Sequence, residues 1–181
     1  MQAAAPVTFQ HIGYPDKVES ESDILWYADA MHEADGDPAK VMSDDFLVSP
    51  DEWALTMEIG EIVERLTKEQ FGRAVRPWSA PLFALHPFRM IEEIAAIAER
   101  KLTIYEIGPG SGYLGALLIR AGHRYLSTDV AEGFYLWQSR LQEACAPGEF
   151  VEMAHLDDFS TLEDPGARVV HVSDRKSTRL N

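Results

Sequence analysis

Hydrophobic positions in the second half of the chain alternate between strand-like and helix-like spacing. Residues 102–107 (LTIYEI) form an apolar run without proline, which predicts a buried strand. From Tyr113 onward apolar residues recur at intervals of three and four, which predicts a helix. The alternation continues to residue 173, with a strand about every 20 to 25 residues, which predicts an α/β doubly wound sheet. The further predicted elements are strands at 123–130, 150–156 and 168–173 and a helix at 131–144.

The first half of the chain carries helical patterns. A helix is predicted within residues 20–36, and a stronger start signal follows at Ser49. Here a capping serine precedes Pro50 at the first helical position and Glu52 three residues after the cap, as in a capping box. This second helix is expected to run to about Thr67, with Trp53 on its apolar face.

Prolines at 77, 81 and 87 interrupt the helical spacing and predict a linker. A helix is predicted to begin at Pro87, with an apolar stripe that includes Phe88, Ile94 and Ala95, and to lead into the strand at 102–107. We therefore expect a helical extension with its linker at residues 1–86 and an α/β domain at residues 87–173.

The segment Gly108-Pro-Gly110-Ser-Gly112 joins the first predicted strand to its helix. Glycines at alternate positions remove Cβ atoms that would keep a ligand away from the backbone, and they tolerate positive φ angles. The following helix points its free N–H groups at the same place. The segment therefore predicts a nucleoside-binding turn.

Asp129 ends the second predicted strand of this unit. Strand, helix and strand in this order form a right-handed βαβ unit, in which ligands bind at the carboxyl ends of the strands. Asp129 lies 21 positions after Gly108, close to the spacing at which an acidic side chain reaches the hydroxyls of a ribose. The same position also allows Asp129 to cap the next helix, and both roles stay open.

Composition narrows the function classes. With 46% hydrophobic and 25% charged residues, the chain has the composition of a folded domain, and its net charge of −14 without a basic run before the last residues argues against nucleic acid as a partner. Its apolar runs fall short of the roughly 20 residues that span a bilayer, and no signal peptide is recognised. A single cysteine, Cys145, suits a reducing compartment, so we expect a soluble cytoplasmic protein of open oligomeric state.

The sequence contains few signals for a metal site or for a catalytic base. The histidines lack the spacing of metal ligands and Cys145 has no cysteine partner, so we predict no metal site. His155 and His171 lie near strand ends, where either could act as a base, although a structural role is the simpler interpretation. The catalytic residue is left unassigned.

The run Glu106-Ile-Gly108-Pro-Gly110-Ser-Gly112, together with strands that end at Asp129 and Asp157, resembles the class I S-adenosylmethionine-dependent methyltransferases. The resemblance covers about residues 87–173. It implies that Glu106 and the glycine turn hold the methionine part of S-adenosylmethionine and that Asp129 binds the ribose. It further implies that Val130 packs on the adenine, whose amino group is bound by Asp157 or Asp158.

The resemblance also implies a fold and a class of acceptor. The family has a Rossmann-like sheet of strand order 3-2-1-4-5-7-6, and the chain would hold its first four strands and end within or after the fourth. Residues 134–138 (FYLWQ) resemble a sugar O-methyltransferase subgroup, which implies a small-molecule acceptor. A separate hypothesis is that the N-terminal helices, with Trp53 and Trp78, cover the acceptor side. Residues 174–181 resemble the translation of a sequencing adapter and are expected to be non-native.

Two other functions remain to be distinguished. Gly110 to Gly115 fits the Gly-x-Gly-x-x-Gly fingerprint, so an NAD(P)-dependent oxidoreductase is the main alternative, and a non-catalytic nucleoside-binding relative is another. Glu106 argues against the dinucleotide fingerprint, which brings its first glycine directly off an apolar strand without an acid. Binding of S-adenosylhomocysteine or of NAD(H) would separate these alternatives.

Overall fold

A computed structural model describes residues 18, 20–24, 47–77, 80–154 and 166–173. The helices are α1 (Pro50–Phe71), α2 (Ala80–Phe83), α3 (Leu85–Ile97), α4 (Tyr113–Arg120) and α5 (Glu132–Cys145). The strands are β1 (Thr103–Ile107), β2 (Arg124–Asp129), β3 (Phe150–Glu152) and β4 (Val169–Ser173). The predicted alternation of strands and helices after residue 102 is confirmed.

The start of α1 follows its sequence signal. The Ser49 hydroxyl accepts from the Glu52 N–H, and the Glu52 carboxylate accepts from the Ser49 N–H, so the predicted capping box is confirmed. The helix runs four residues past the expected end, to Phe71, because Gly72 supplies the left-handed conformation that ends it. Trp53 was expected on the buried face, but 43% of it is exposed, since the buried stripe begins one turn later.

The segment before the sheet differs from its prediction in two details. The linker contains the short helix α2, and α3 begins at Leu85, two residues before Pro87. Phe88 and Ala95 are buried as expected, whereas Ile94 is exposed. Only one side of α3 packs against neighbouring helices, so its apolar stripe is narrower than the sequence pattern indicates.

The strands form a parallel sheet in the order β1-β2-β4-β3. The predicted α/β class with a parallel sheet is confirmed. The carboxyl ends of β1, β2 and β4 lie at one edge, since Ile107 pairs with Thr128 and Asp129 pairs with Ser173. This edge carries the glycine turn.

The strand order differs from the one that the resemblance implies, in which the fourth strand lies beside the first. Here β4 pairs with β2 and with β3. All five residues of β4 are buried, including Val169, Val170 and Val172, and such a strand is suited to an interior position. β1 was expected to be buried, and this is wrong: it pairs only with β2 in the described sheet, Tyr105 is 49% exposed and Ile107 is 74% exposed.

The described helices cover one face of the sheet. α1 packs against α4 and α5, and these helices share a hydrophobic core with β2 and β4 through residues such as Val63, Leu117 and Trp137. The opposite face carries a smaller cluster built from Val170, Val172 and their neighbours, to which no described helix contributes. The side chains that alternate onto the helical face of β1 and β2 are therefore enclosed between strand and helix.

Candidate functional site

The glycine turn leaves the end of β1 with an open backbone. Gly108, Gly110 and Gly112 have φ angles of 66°, 58° and 77°, a region that other residues rarely adopt. The Gly108 N–H donates to the Thr128 carbonyl at 2.8 Å, which ties the turn to β2. A Cβ added at Gly108 or Gly110 would meet no atom within 4 Å, so a ligand has room against these residues.

The N-terminus of α4 completes this turn. Gly112 is its N-cap residue, and no side chain caps the helix. The first N–H groups of an α-helix have no partner within the helix and carry a partial positive charge. The open glycines and these donors thus face a site that favours a polar or anionic group.

Asp129 is held at the end of β2 by protein donors. Its side chain is buried, with only 4% of the residue exposed. Oδ1 accepts from the N–H of Ala131, the N-cap residue of α5, at 2.9 Å, and Oδ2 accepts from Nε2 of Gln138 at 2.8 Å. Asp129 does not cap α5, whose N-cap residue is Ala131 and which has no side-chain cap, but its carboxylate binds the backbone at the start of this helix. A carboxylate can accept about four hydrogen bonds, so these two do not by themselves exclude a ribose.

Helix α5 clamps the glycine turn with two consecutive side chains. Nε2 of Gln138 donates to the Gly110 carbonyl at 2.8 Å as well as to Asp129. Nε1 of Trp137 donates to the Ser111 carbonyl at 3.1 Å. Both side chains are fully buried, so the position of the turn relative to Asp129 is fixed by α5.

Glu106 lies on β1 with its side chain on the helical face of the sheet. Its Oε2 accepts a hydrogen bond from the Tyr125 phenol on β2 at 2.5 Å. Burial raises the pKa of the Glu106 carboxyl above its ordinary value, and the bond from Tyr125 opposes that rise. The structure therefore places an acidic side chain two residues before the turn, bound to a neutral phenol.

Gly115 is required by the same tyrosine. A Cβ at Gly115 would lie 2.5 Å from both Cζ and the hydroxyl oxygen of Tyr125. The last glycine of the Gly110 to Gly115 fingerprint thus lets α4 lie directly over a strand side chain. Dinucleotide-binding turns use their third glycine in a similar way, so the spacing does not separate the two candidate cofactors.

The remaining predicted cofactor residues have different outcomes. Val130 follows Asp129 and is 37% exposed, so its side chain is accessible at the carboxyl edge. Asp157 and Asp158 lie outside the described residues. In the sheet, Ser173 of β4 lies beside Asp129 of β2. The Ser173 hydroxyl is buried and has no hydrogen-bond partner in the described part of the chain.

His171 and Cys145 are enclosed in the core. Burial lowers the pKa of His171 to about 3, its Nδ1 lies 2.8 Å from the Ser139 hydroxyl, and its ring stacks on Tyr135 at 4.0 Å. Burial raises the pKa of the Cys145 thiol to about 12. These environments hold both groups uncharged near neutral pH, which fits structural roles. His155 lies outside the described residues.

Sequence reasoning missed the side chains that support the site. Tyr125, Ser127 and Asp129 alternate along β2 and therefore share one face, which the period of a strand could have indicated. Gln138 offered no such signal. Its bonds to Gly110 and Asp129 depend on how α5 lies across the sheet, which is a tertiary property.

A cavity of about 650 Å³ lies along α1, and its lining is separate from the candidate site. Its wall consists of charged side chains, and it shares no residue with the glycine turn, Asp129 or Glu106. The cavity therefore does not extend the candidate site. The lining residues are Glu61, Glu64, Arg65, Lys68 and Glu69.

Comparison of the chain with protein-family models, with curated proteins and with solved structures gives no match. Within the described ranges, no group of three or more His, Cys, Asp and Glu side chains is arranged to hold a metal ion. The helices of those ranges also include none with the length and apolarity needed to cross a bilayer. The geometry of the site is therefore what supports a function.

Proposed function

We propose that the chain is the cofactor-binding part of an S-adenosylmethionine-dependent methyltransferase that acts on a small-molecule acceptor, with a sugar hydroxyl as the favoured class. One observation carries the proposal. A turn of three glycines with positive φ is held beside Asp129 by a single side chain, Gln138, and is preceded by the acidic Glu106.

The residues present fit the parts of this cofactor. The space over Gly108 and Gly110 admits a ligand against the backbone, and the negative charge of Glu106 suits the amino group of the methionine part. Asp129 has the carboxylate chemistry that ribose hydroxyls require, and the exposed Val130 offers an apolar surface to the adenine. The net charge of the chain, −14, suits a cationic cofactor.

The strand order supports the proposal if β4, rather than β3, is matched to the third strand of the family. The order β4-β2-β1 then corresponds to 3-2-1, and β3 is an additional strand outside it. In this arrangement Ser173, which pairs with Asp129, lies at the carboxyl end of the strand that corresponds to the third strand of the family. A Rossmann-like assignment of the sheet is part of the same proposal.

The bound cofactor would supply a sulfonium methyl group for direct transfer to an acceptor oxygen. The residues of this chain bind and orient the donor: Glu106 and the glycine turn at one end and Asp129 at the other. Proximity and alignment of this kind can contribute about 7–11 kcal/mol in well-oriented reactions. No residue of the described site is assigned as a base.

Ligand binding tests the proposal directly. We expect S-adenosylhomocysteine to bind in isothermal titration calorimetry, while NADH gives no response. Gly110→Ala should weaken this binding by about tenfold or more, because a Cβ then lies over the turn and a left-handed residue other than glycine costs about 1–2 kcal/mol.

Gly148→Ala is the matched control. Gly148 also has a positive φ, 79°, with no atom within 4 Å of an added Cβ, but it lies after α5, outside the glycine turn. The two variants carry the same kind of backbone strain, so only the first should lose affinity. Tight binding of NADH, or equal loss in both variants, would contradict the proposal. Binding without methyl transfer to any sugar acceptor would favour the non-catalytic alternative.

A further inference from the structure

A buried row of polar side chains leads from α5 through β2 to Glu106. Nε2 of Gln142 donates to the Ser127 hydroxyl at 2.9 Å. Tyr125 lies two residues before Ser127 on the same face of β2, and its phenol donates to Oε2 of Glu106 at 2.5 Å. Tyr125 and Ser127 are fully buried, so water does not compete for these bonds.

The proton of the Tyr125 phenol is committed to Glu106, because an ionised carboxylate can only accept hydrogen bonds. On the α5 side, the amide of Gln142 donates to the Ser127 hydroxyl, which holds that side chain on the same face of β2 as Tyr125.

The phenol is also fixed sterically. The backbone of α4 at Gly115 lies so close to Tyr125 that a Cβ there would be 2.5 Å from its hydroxyl oxygen. The ring is held between α4 and the sheet. The hydroxyl therefore has little freedom to leave the Glu106 carboxylate.

We propose that Tyr125 is a positioning residue for the cofactor site: its phenol donates to Oε2 of Glu106 and so orients this carboxylate beside the glycine turn. This inference rests on the proposed function for its ligand, a cationic amino group. Glu106 would touch that group directly, whereas Tyr125 acts only through Glu106.

The other charged side chains near Tyr125 and Glu106 have their own interactions. In the described part of the chain, no Lys, Arg or His forms an ion pair with Glu106. Burial raises the pKa of the Tyr125 phenol, and the negative charges of Glu106 and Asp129 raise it further. On α4, Arg120 pairs with Glu58, and Tyr113 is buried at the first position. On α5, Arg140 pairs with Glu21, and Glu132 accepts a hydrogen bond from the Val18 N–H. Glu143 of the same helix is exposed, and Cys145 is a buried thiol.

Removal of the phenol hydroxyl has a defined consequence. In Tyr125→Phe the Glu106 carboxylate stays partly buried but loses its donor, so its charged form is less stable. The titration midpoint of Glu106 should rise by about one pH unit, because a hydrogen bond to a charged group is of the order of one pKa unit or more. This midpoint is measured by carbon-13 NMR of the side-chain carboxyl in the ligand-free protein.

Tyr135→Phe is the matched control. Tyr135 is also fully buried and also donates to a glutamate, Glu152, but on the α5–β3 side of the sheet. Both variants lose a buried bond from a phenol to a carboxylate and keep the ring. Only Tyr125→Phe should move the Glu106 midpoint, and an unchanged midpoint, or an equal shift in both variants, would overturn the proposal.

The pH profile of S-adenosylhomocysteine affinity gives the second readout. Affinity should fall as pH decreases through the Glu106 midpoint, and in Tyr125→Phe this fall should begin about one pH unit higher. The variant is then about fivefold weaker at the wild-type midpoint and approaches about tenfold weaker below both midpoints, whereas at higher pH the difference disappears. A difference that is uniform across pH would indicate a structural effect and count against the proposal.

A second variant keeps the test decisive if Tyr125→Phe does not fold. Gly115→Ala retains the phenol, but its Cβ would lie 2.5 Å from the phenol oxygen and displace it from Glu106, so this variant should shift the Glu106 midpoint upward by a smaller amount. The NMR titration needs no ligand. A shifted midpoint in a protein that does not bind S-adenosylhomocysteine would therefore reject the proposed function while leaving the positioning role of Tyr125 intact.

Discussion

Two glycines inside helices illustrate how the surroundings of a single residue set the effect of one methyl group. A Cβ at Gly115 would lie 2.5 Å from the Tyr125 ring, whereas a Cβ at Gly60 in α1 would meet its nearest atom, the Pro77 carbonyl oxygen, at 3.6 Å. The first contact is a clash and the second is ordinary packing. The same substitution should therefore have opposite signs at the two positions.

We expect Gly115→Ala to lower the free energy of unfolding by about 1–3 kcal/mol, because the Tyr125 ring or α4 must shift to admit the methyl group. Gly60→Ala should raise it by up to about 1 kcal/mol, since alanine loses less backbone entropy than glycine in a helix. Urea denaturation of both variants checks this. A stabilised Gly115→Ala protein would contradict the close approach of α4 to β2.

At the same scale, the Asp129 carboxylate accepts from two protein donors, one local and one on the clamp of the glycine turn. Its bond to the Ala131 N–H is local and could be expected from a strand-to-helix junction. Its bond to Gln138 joins it to the glycine turn through Gly110. A role in ribose binding and a role in the start of α5 are compatible at this position.

Among the elements, α1 is anchored through its first turn. The Glu52 carboxylate caps the Ser49 N–H and also accepts from Arg89 of α3, at 2.5 and 2.9 Å. Arg89 donates in addition to the Leu47 carbonyl. The hydrogen bond from Arg89, followed by the bonds from Ser49, lowers the pKa of Glu52 to about 2 despite its partial burial.

This anchor should make the stability of the protein depend on pH. Because the pKa of Glu52 is lower in the folded state, its contribution is complete above about pH 4.5 and declines as pH falls towards about 2. Glu52→Gln should therefore lower the free energy of unfolding by about 1–2 kcal/mol at pH 7. Urea titrations from pH 7 downwards should show the two proteins converging below pH 4.5.

Glu61→Gln serves as the comparison. Glu61 is on the same helix and faces Arg76 at 3.8 Å, but its side chain is largely exposed. Its substitution should leave stability nearly unchanged at every pH. If Glu52→Gln destabilised the protein equally at pH 7 and at pH 3, the loss would come from packing rather than from the charge of Glu52.

The elements that the sequence predicted are those with local causes. The capping box at Ser49 and the alternate glycines from Gly108 depend on residues within a few positions, and both appear as expected. The partner of β4 and the exposure of Trp53 and Ile94 depend on distant residues, and these expectations were wrong. Local signals determine which elements form, while the sheet order and the clamp by Gln138 arise from how the elements pack.

For the molecule as a whole, β1 and β3 are the edge strands of the described sheet, while β4 lies between β2 and β3 and is fully buried. β1 instead presents Tyr105 and Ile107 on the face away from Glu106. An exposed strand with apolar side chains is a site for edge-to-edge association.

Tyr105→Lys should therefore slow the concentration-dependent aggregation of the protein, measured by light scattering, by about twofold or more, because a charge on an edge strand opposes pairing. Affinity for S-adenosylhomocysteine should not change, since the substituted side chain lies on the other face from Glu106. Trp53→Lys removes a similarly exposed aromatic from α1 rather than from a strand. Equal protection by both variants would indicate general surface hydrophobicity instead of strand pairing.

The bond from Trp137 to the glycine turn has an optical consequence. Indole fluorescence depends on the polarity and hydrogen bonding around Nε1, and this indole is fully buried with its N–H on the Ser111 carbonyl. Any ligand that displaces the turn changes that bond, so the emission of Trp137 reports on events at Gly110 and Ser111 without an added dye. The partly exposed Trp53 emits from a wetter setting, at longer wavelength, and provides an internal reference within the same spectrum.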